Sequence, residues 1–107
     1  MKGDYIQIQW TAESVFEARQ IIKELLESRL IACGSIMPIL ESLYSWRGEI
    51  EQVREVKVWM KSHMKHYDKI EKKIIELHSY EIPELIVFKV LKASPGYSKW
   101  MDGVIGK

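Results

Sequence analysis

The sequence predicts one α+β domain over residues 1–107, an antiparallel sheet carrying helices, with a further helix at the C-terminus. Three observations lead there: several runs alternate apolar and polar residues, two intervening segments carry apolar stripes at helical spacing, and one Gly-containing turn joins the two longest strand-like runs.

The first run, Asp4 to Thr11, sets Tyr5, Gln7 and Gln9 on one side and Ile6, Ile8 and Trp10 on the other, the period of a half-buried strand. Ser14 followed by Glu17 fits a capping box, and Val15, Ala18, Ile22, Leu25 and Leu26 continue at helical spacing to about Arg29. From Leu30 to Trp46 the chain is rich in β-forming residues. Pro38 lacks a backbone donor and predicts a bend or an edge in that strand. After Arg47-Gly48 the chain alternates again from Ile50 to Met60, so these two strands form a long antiparallel hairpin. Ser62 is placed to cap a second helix with the stripe Tyr67, Ile70, Ile74 and Leu77. Leu85 to Val90 reads as a fourth strand. Ser94-Pro95 reads as a cap and first position of a terminal helix reaching about Val104. The order β-α-β-β-α-β plus a helix is the split β-α-β pattern of a ferredoxin-like fold.

Composition excludes several classes. Of 107 residues 47% are apolar and 29% charged, with a net charge of +1, so neither nucleic acid nor an anionic membrane is an expected partner. The first residues lack a secretory signal, and no apolar run is long enough to span a bilayer, which predicts a cytoplasmic protein. One cysteine makes no internal disulfide. There is no nucleophile elbow, P-loop, G-x-G-x-x-G or H-E-x-x-H, and no Asn for acylphosphatase chemistry, so the expectation is not an enzyme.

Tyr44 and Trp46 share parity beside the hairpin turn, and each ring can bury ~150–250 Å² against a partner. A projecting hairpin in a small domain finds that partner most simply in a second copy of the chain.

Cys33 is a soft ligand when ionised, yet its neighbours Leu30, Ile31, Ala32 and Ile36 also read as the surroundings of an inert buried thiol. His78, next to Tyr80, Glu81 and Glu84, offers an imidazole and carboxylates to a divalent ion; the competing reading is a histidine that caps carbonyls and packs on Tyr80. His63 and His66, at i and i+3, read as a solvated pair.

The chain resembles the CutA divalent-ion tolerance family. The family pattern A-C-x-x-I-x-P, S-x-Y-x-W-x-G, a Glu and a Lys on the next strand, H-P-Y-E-x-P-E and Y-x-x-W is met by Ala32, Cys33, Ile36, Pro38, Ser42, Tyr44, Trp46, Gly48, Glu55, Lys61, His78, Tyr80, Glu81, Pro83, Glu84, Tyr97 and Trp100. Ser79 stands where the family usually has proline, and Trp10 where some members have a thiol or small polar residue.

The resemblance implies a homotrimer linked to tolerance of divalent cations, copper especially, that binds rather than catalyses. It also implies a polar cleft between subunits where Tyr44, Trp46, Glu55, Lys61, Tyr80 and Glu84 converge. Solvated charges around an aromatic interface core are the equal alternative. The expected metal ligands are His78 and Cys33, and the expected ion copper(II) or another divalent cation. The alternative function is a small-molecule sensor resembling the nitrogen-regulatory PII trimers, with ligand clefts between subunits.

Overall fold

The computed structural model describes residues 4–107. The elements are β1 (Tyr5–Ala12), α1 (Val15–Glu27), β2 (Cys33–Trp46), β3 (Glu49–His63), a 3-10 turn (Met64–His66), α2 (Tyr67–Leu77), β4 (Leu85–Lys89) and α3 (Pro95–Val104). The sheet order is β2-β3-β1-β4 with every neighbouring pair antiparallel. This is the ferredoxin-like topology the element order predicts.

Strand alternation divides the sheet into two faces. Ile6, Ile8, Trp10 and Ala12 of β1 and Val56, Val58 and Met60 of β3 face the helices, where they pack with Ala18, Ile21, Ile22 and Leu25 of α1 and Ile70 and Ile74 of α2. At Gly34 the backbone of β2 runs so close to α1 that an added Cβ would lie 2.8 Å from Ile22 Cγ2. The glycine therefore sets the spacing of helix and sheet at that end.

The opposite face carries Gln7, Gln9, Lys57, Trp59 and Lys61, flanked by Ile86 and Phe88. It is covered at one end by α3, whose Met101, with Ile105 just beyond its end, packs on Tyr5 and Ala32 as a second small core. Between that end and the loop before β4 the face is open, leaving Trp59, Ile86 and Phe88 exposed.

Arg47 (φ 50°) and Gly48 (φ 82°) form the two-residue turn between β2 and β3, the paired left-handed geometry that suits the twist of a hairpin. In β2 the pairing passes from Met37↔Lys57 to Leu40↔Glu55, so two residues, Pro38 and Ile39, oppose one. The bend expected at Pro38 is thus a bulge, which spares the proline a ladder bond.

Four local expectations are corrected. In α1 the buried stripe is Ala18, Ile21, Ile22 and Leu25, whereas Leu26 lies off it and is exposed. The capping box is altered: Ser14 Oγ accepts from Glu17 N–H at 3.1 Å, but Glu17 reaches back to Glu13 N–H and across to Ser79 N–H.

Ser62 does not cap a helix. It belongs to β3 and donates to the Leu30 carbonyl, because the ladder with β1 continues to Tyr5↔His63. Nor are His63 and His66 solvated: both are buried, His66 against the Gly106 carbonyl at 2.7 Å and His63 edge-on to Tyr5 with Nε2 3.1 Å from Asp102 Oδ1. The C-terminal segment covers them, Asp102 of α3 at His63 and Gly106 beyond the helix at His66, which no local pattern encodes.

Candidate functional site

Beyond the end of β1, the β2-β3 hairpin extends alone, and the loop after α2 returns alongside it to β4. Between them lies a cavity of about 690 Å³. Cross-strand pairing puts Ser42, Tyr44 and Trp46 of β2 on the same side as Glu51 and Glu55 of β3. The loop contributes Tyr80, Glu81, Ile82, Pro83 and Glu84, and Thr11 forms the floor. The volume falls within the roughly 300–1,000 Å³ of small-molecule sites.

The walls are held by specific bonds. Tyr80 Oη donates to Glu55 Oε1 at 2.8 Å, and Glu55 is 6% exposed. Burial, first, and the Glu55 carboxylate hold the Tyr80 phenol well above the usual tyrosine range, so it remains a donor. Gln9 Nε2 donates to Glu84 Oε2 at 3.2 Å, with Lys57 Nζ 3.8 Å from the same oxygen. At the rim Arg47 bonds both oxygens of Glu81 at 3.0 and 3.1 Å while its guanidinium lies 5.1 Å from the centre of the Trp46 ring.

His78 anchors the loop. Its Nδ1 accepts from Tyr80 N–H at 3.0 Å and its Nε2 donates to the Thr11 carbonyl at 2.6 Å, which fixes the neutral tautomer with its proton on Nε2. The ring packs against Tyr80 at 4.8 Å and edge-on to Trp10 at 5.8 Å. These bonds brace the loop where Ser79 replaces the family's proline. Ser79 Oγ itself donates to Glu13 Oε2.

Of the residues expected to converge, Tyr44, Trp46, Glu55, Tyr80 and Glu84 line the cavity. Lys61 does not. It pairs with Gln7 and Cys33, six residues along β3 from Glu55 or about 20 Å at a strand's rise per residue.

Cys33 and His78 also stand apart. Cys33 is half-buried at the end of the sheet that α3 covers, with Sγ 3.6 Å from Tyr97 Oη, whereas His78 lies at the far end of β1. Burial, then the Cys33 contact, pushes the Tyr97 phenol up to about 12. Among the described residues no group of three or more His, Cys, Asp or Glu is placed to hold a metal ion.

Sequence reasoning missed Glu51, which pairs with Tyr44 across the hairpin; counting register back from the Arg47-Gly48 turn would have found it.

A four-stranded antiparallel sheet with two helices on one face, a third at its end and a cavity under a long hairpin defines a ferredoxin-like protein of one particular build. Residues 6–104 match the family model described as CutA1 divalent ion tolerance protein, and the chain belongs to that family. The divalent-cation tolerance protein CutA of Pectobacterium atrosepticum is 34% identical over 99 residues, 92% of this chain and 90% of that one.

The crystal structure of CutA1 from the psychrotrophic bacterium Shewanella sp. SIB1 superposes with a TM-score of 0.93 at 30% identity, covering 100% of both chains. The CutA of Archaeoglobus fulgidus, named a periplasmic divalent cation tolerance protein, superposes with a TM-score of 0.92 at 27% identity over 95% of this chain and 99% of that one.

Proposed function

We propose that this chain acts in tolerance of divalent cations as a homotrimeric, non-catalytic binding protein, with copper(II) the foremost ion and a small-ligand cleft under each hairpin. The observation that carries the binding reading is the cavity in which Tyr44, Trp46, Glu55, Tyr80 and Glu84 meet. The family's relatives supply the link to divalent cations through their names.

Assembly is supported by the apolar side chains a single chain leaves in water on the open face and hairpin. These include Trp59, Ile86, Phe88, Leu43 and Ile50. Copper(II) is favoured because it stands at the top of the Irving–Williams order and accepts both thiol and imidazole donors; with Cys33 and His78 apart in one chain, a shared site draws them from neighbouring subunits.

No helix is long and apolar enough to cross a membrane. A cytoplasmic location remains our reading of the sequence. Cell fractionation tests it against the periplasmic naming of the Archaeoglobus relative. A second reading, a sensor with PII-like trimeric architecture, is favoured by the cavity's volume, which suits an organic ligand.

Native mass spectrometry of tag-free protein with metal analysis tests the main reading. Three chains carrying copper after exposure to it are expected. A single-chain mass, or a trimer that retains no divalent ion, overturns it.

A further inference from the structure

At the end of the sheet that α3 covers, Asp4, His63, Lys65, Asp102 and Lys107 border a second cavity, of about 510 Å³. It lies away from the open stretch of the sheet and from the hairpin tip, the surfaces on which copies of the chain are proposed to meet. His63 is more than nine-tenths buried, and its Nε2 has no hydrogen-bond partner among the described residues. Asp102 Oδ1 is only 3.1 Å away, but off the line that an N–H donor needs. Nor are the two an ion pair. Burial above all lowers the His63 pKa from its usual value, so the ring is neutral at pH 7. A buried imidazole nitrogen beside a carboxylate oxygen, joined by neither bond nor charge, is costly unless something attracted to both completes it.

An anion would be repelled by Asp102 beside the very nitrogen it had to approach. A transition-metal ion fits. Zinc stands about 2.0–2.2 Å from imidazole nitrogen and carboxylate oxygen alike, so two such donors 3.1 Å apart subtend about 90–105° at the ion, between a right angle and the tetrahedral angle. Tyr5 holds both donors in place: its Oη donates to Asp102 Oδ1 at 2.6 Å, and its ring meets His63 edge-on with centroids 4.5 Å apart. Outer bonds of this kind orient metal ligands. The hydrogen bond to Asp102, then burial, pushes the Tyr5 phenol up to about 12, so it remains a donor. Asp4 adds to the attraction for a cation, whereas Lys65 and Lys107 subtract from it. Among the described residues no third His, Cys, Asp or Glu is placed to join the pair, so water takes the remaining positions, as suits an exchangeable ion.

We propose that His63 Nε2 and Asp102 Oδ1 form a two-donor site for a zinc-like divalent transition-metal ion, both donors held by Tyr5. The site lies within one chain and is independent of the copper site shared between Cys33 and His78.

The test is calorimetric titration of the full chain with zinc chloride in a Cys33→Ser background, which removes the thiol. One zinc per chain is expected. Asp102→Asn, which keeps an acceptor for Tyr5 Oη, and His63→Gln should each weaken zinc at least tenfold. Lys65→Gln, at an exposed residue, should tighten it severalfold by removing a positive charge that faces the ion. A thermal melt of each variant confirms folding. In the background protein itself, NMR should show zinc shifting the ring resonances of His63 ahead of those of His66 and His78, a readout that needs no change at the site.

No heat from zinc, equal affinity in folded Asp102→Asn, or His63 ring resonances unmoved at saturation overturns the proposal. Copper(II) chloride is titrated separately into wild type and Cys33→Ser. Copper binding lost with the thiol supports the shared site whatever zinc does, and zinc binding at His63 stands whether or not copper needs Cys33.

Discussion

Tyr80 donates its phenolic hydrogen to Glu55 Oε1 across 2.8 Å, tying the loop after α2 to β3 over 25 residues of sequence. The bond closes one wall of the cavity and satisfies one oxygen of a carboxylate that is 6% exposed. One wall of the candidate site is therefore set by this contact.

Tyr80→Phe removes the donor and leaves that buried oxygen unpaired. The expected cost is about 1.5–3 kcal/mol, the range for hydrogen bonds to charged groups. Urea unfolding at unchanged m measures it. Tyr44→Phe, at a residue that is 43% exposed, is the comparison and should stay within about 0.5 kcal/mol. Equal effects from the two variants would show that the Tyr80 bond contributes no stability.

Trp46→Ala separates monomer from assembly. Within one chain Trp46 is half-buried beside Arg47, so truncation there should cost little. In a trimer with the hairpin docked on a neighbour the cost should reach ~3–5 kcal/mol of combined folding and assembly stability. Light scattering across a dilution series reads this out. A variant whose trimer persists at every concentration with an unchanged melting temperature would make the indole a mere ornament of the hairpin.

Acid should weaken the fold through His63. Burial above all holds its pKa below the usual histidine value, reinforced by Lys65 and His66 and opposed by Asp102. The folded protein thus resists a proton that the unfolded chain accepts below about pH 6.5. This stability is complete above that pH, falls as pH drops through 6.5 towards the folded value, and levels off beneath it. Urea midpoints from about pH 8 to pH 5 should show that loss in wild type and a shallower one in His63→Gln. Parallel curves would exclude His63 as the titrating group.

Copper(II) should depend more on Cys33 than on His78. Both imidazole nitrogens are already bonded, to Tyr80 N–H and the Thr11 carbonyl, so an ion must displace one of them. The half-buried thiol has only a long contact with Tyr97 Oη to lose. Calorimetry under anaerobic conditions should show at least a tenfold loss of affinity in Cys33→Ser and a smaller one in His78→Ala. Identical isotherms for all three proteins would rule out both residues as ligands.

By itself the sequence determined what short-range physics encodes. The 3.6-residue and two-residue periods fixed the helices and strands and their order. Ser94 Oγ caps Tyr97 N–H as the Ser-Pro pair announced, and Arg47-Gly48 turns the hairpin. Parity alone put Tyr44 and Trp46 on one side.

Tertiary structure decided what depends on residues far apart in the chain. The 3-10 turn and the continued ladder moved Ser62 from a helix cap into β3, and α3 with the residues just after it buried His63 and His66, because burial is set by what packs on top and not by local spacing. Strand rise carried Lys61 away from the cavity although it shares β3 with Glu55. Above all, the family pattern implied that Tyr80 and Glu55 converge, but the bond between them within one chain exists because the sheet order brings the end of α2 beside the hairpin, which no local period in the chain encodes.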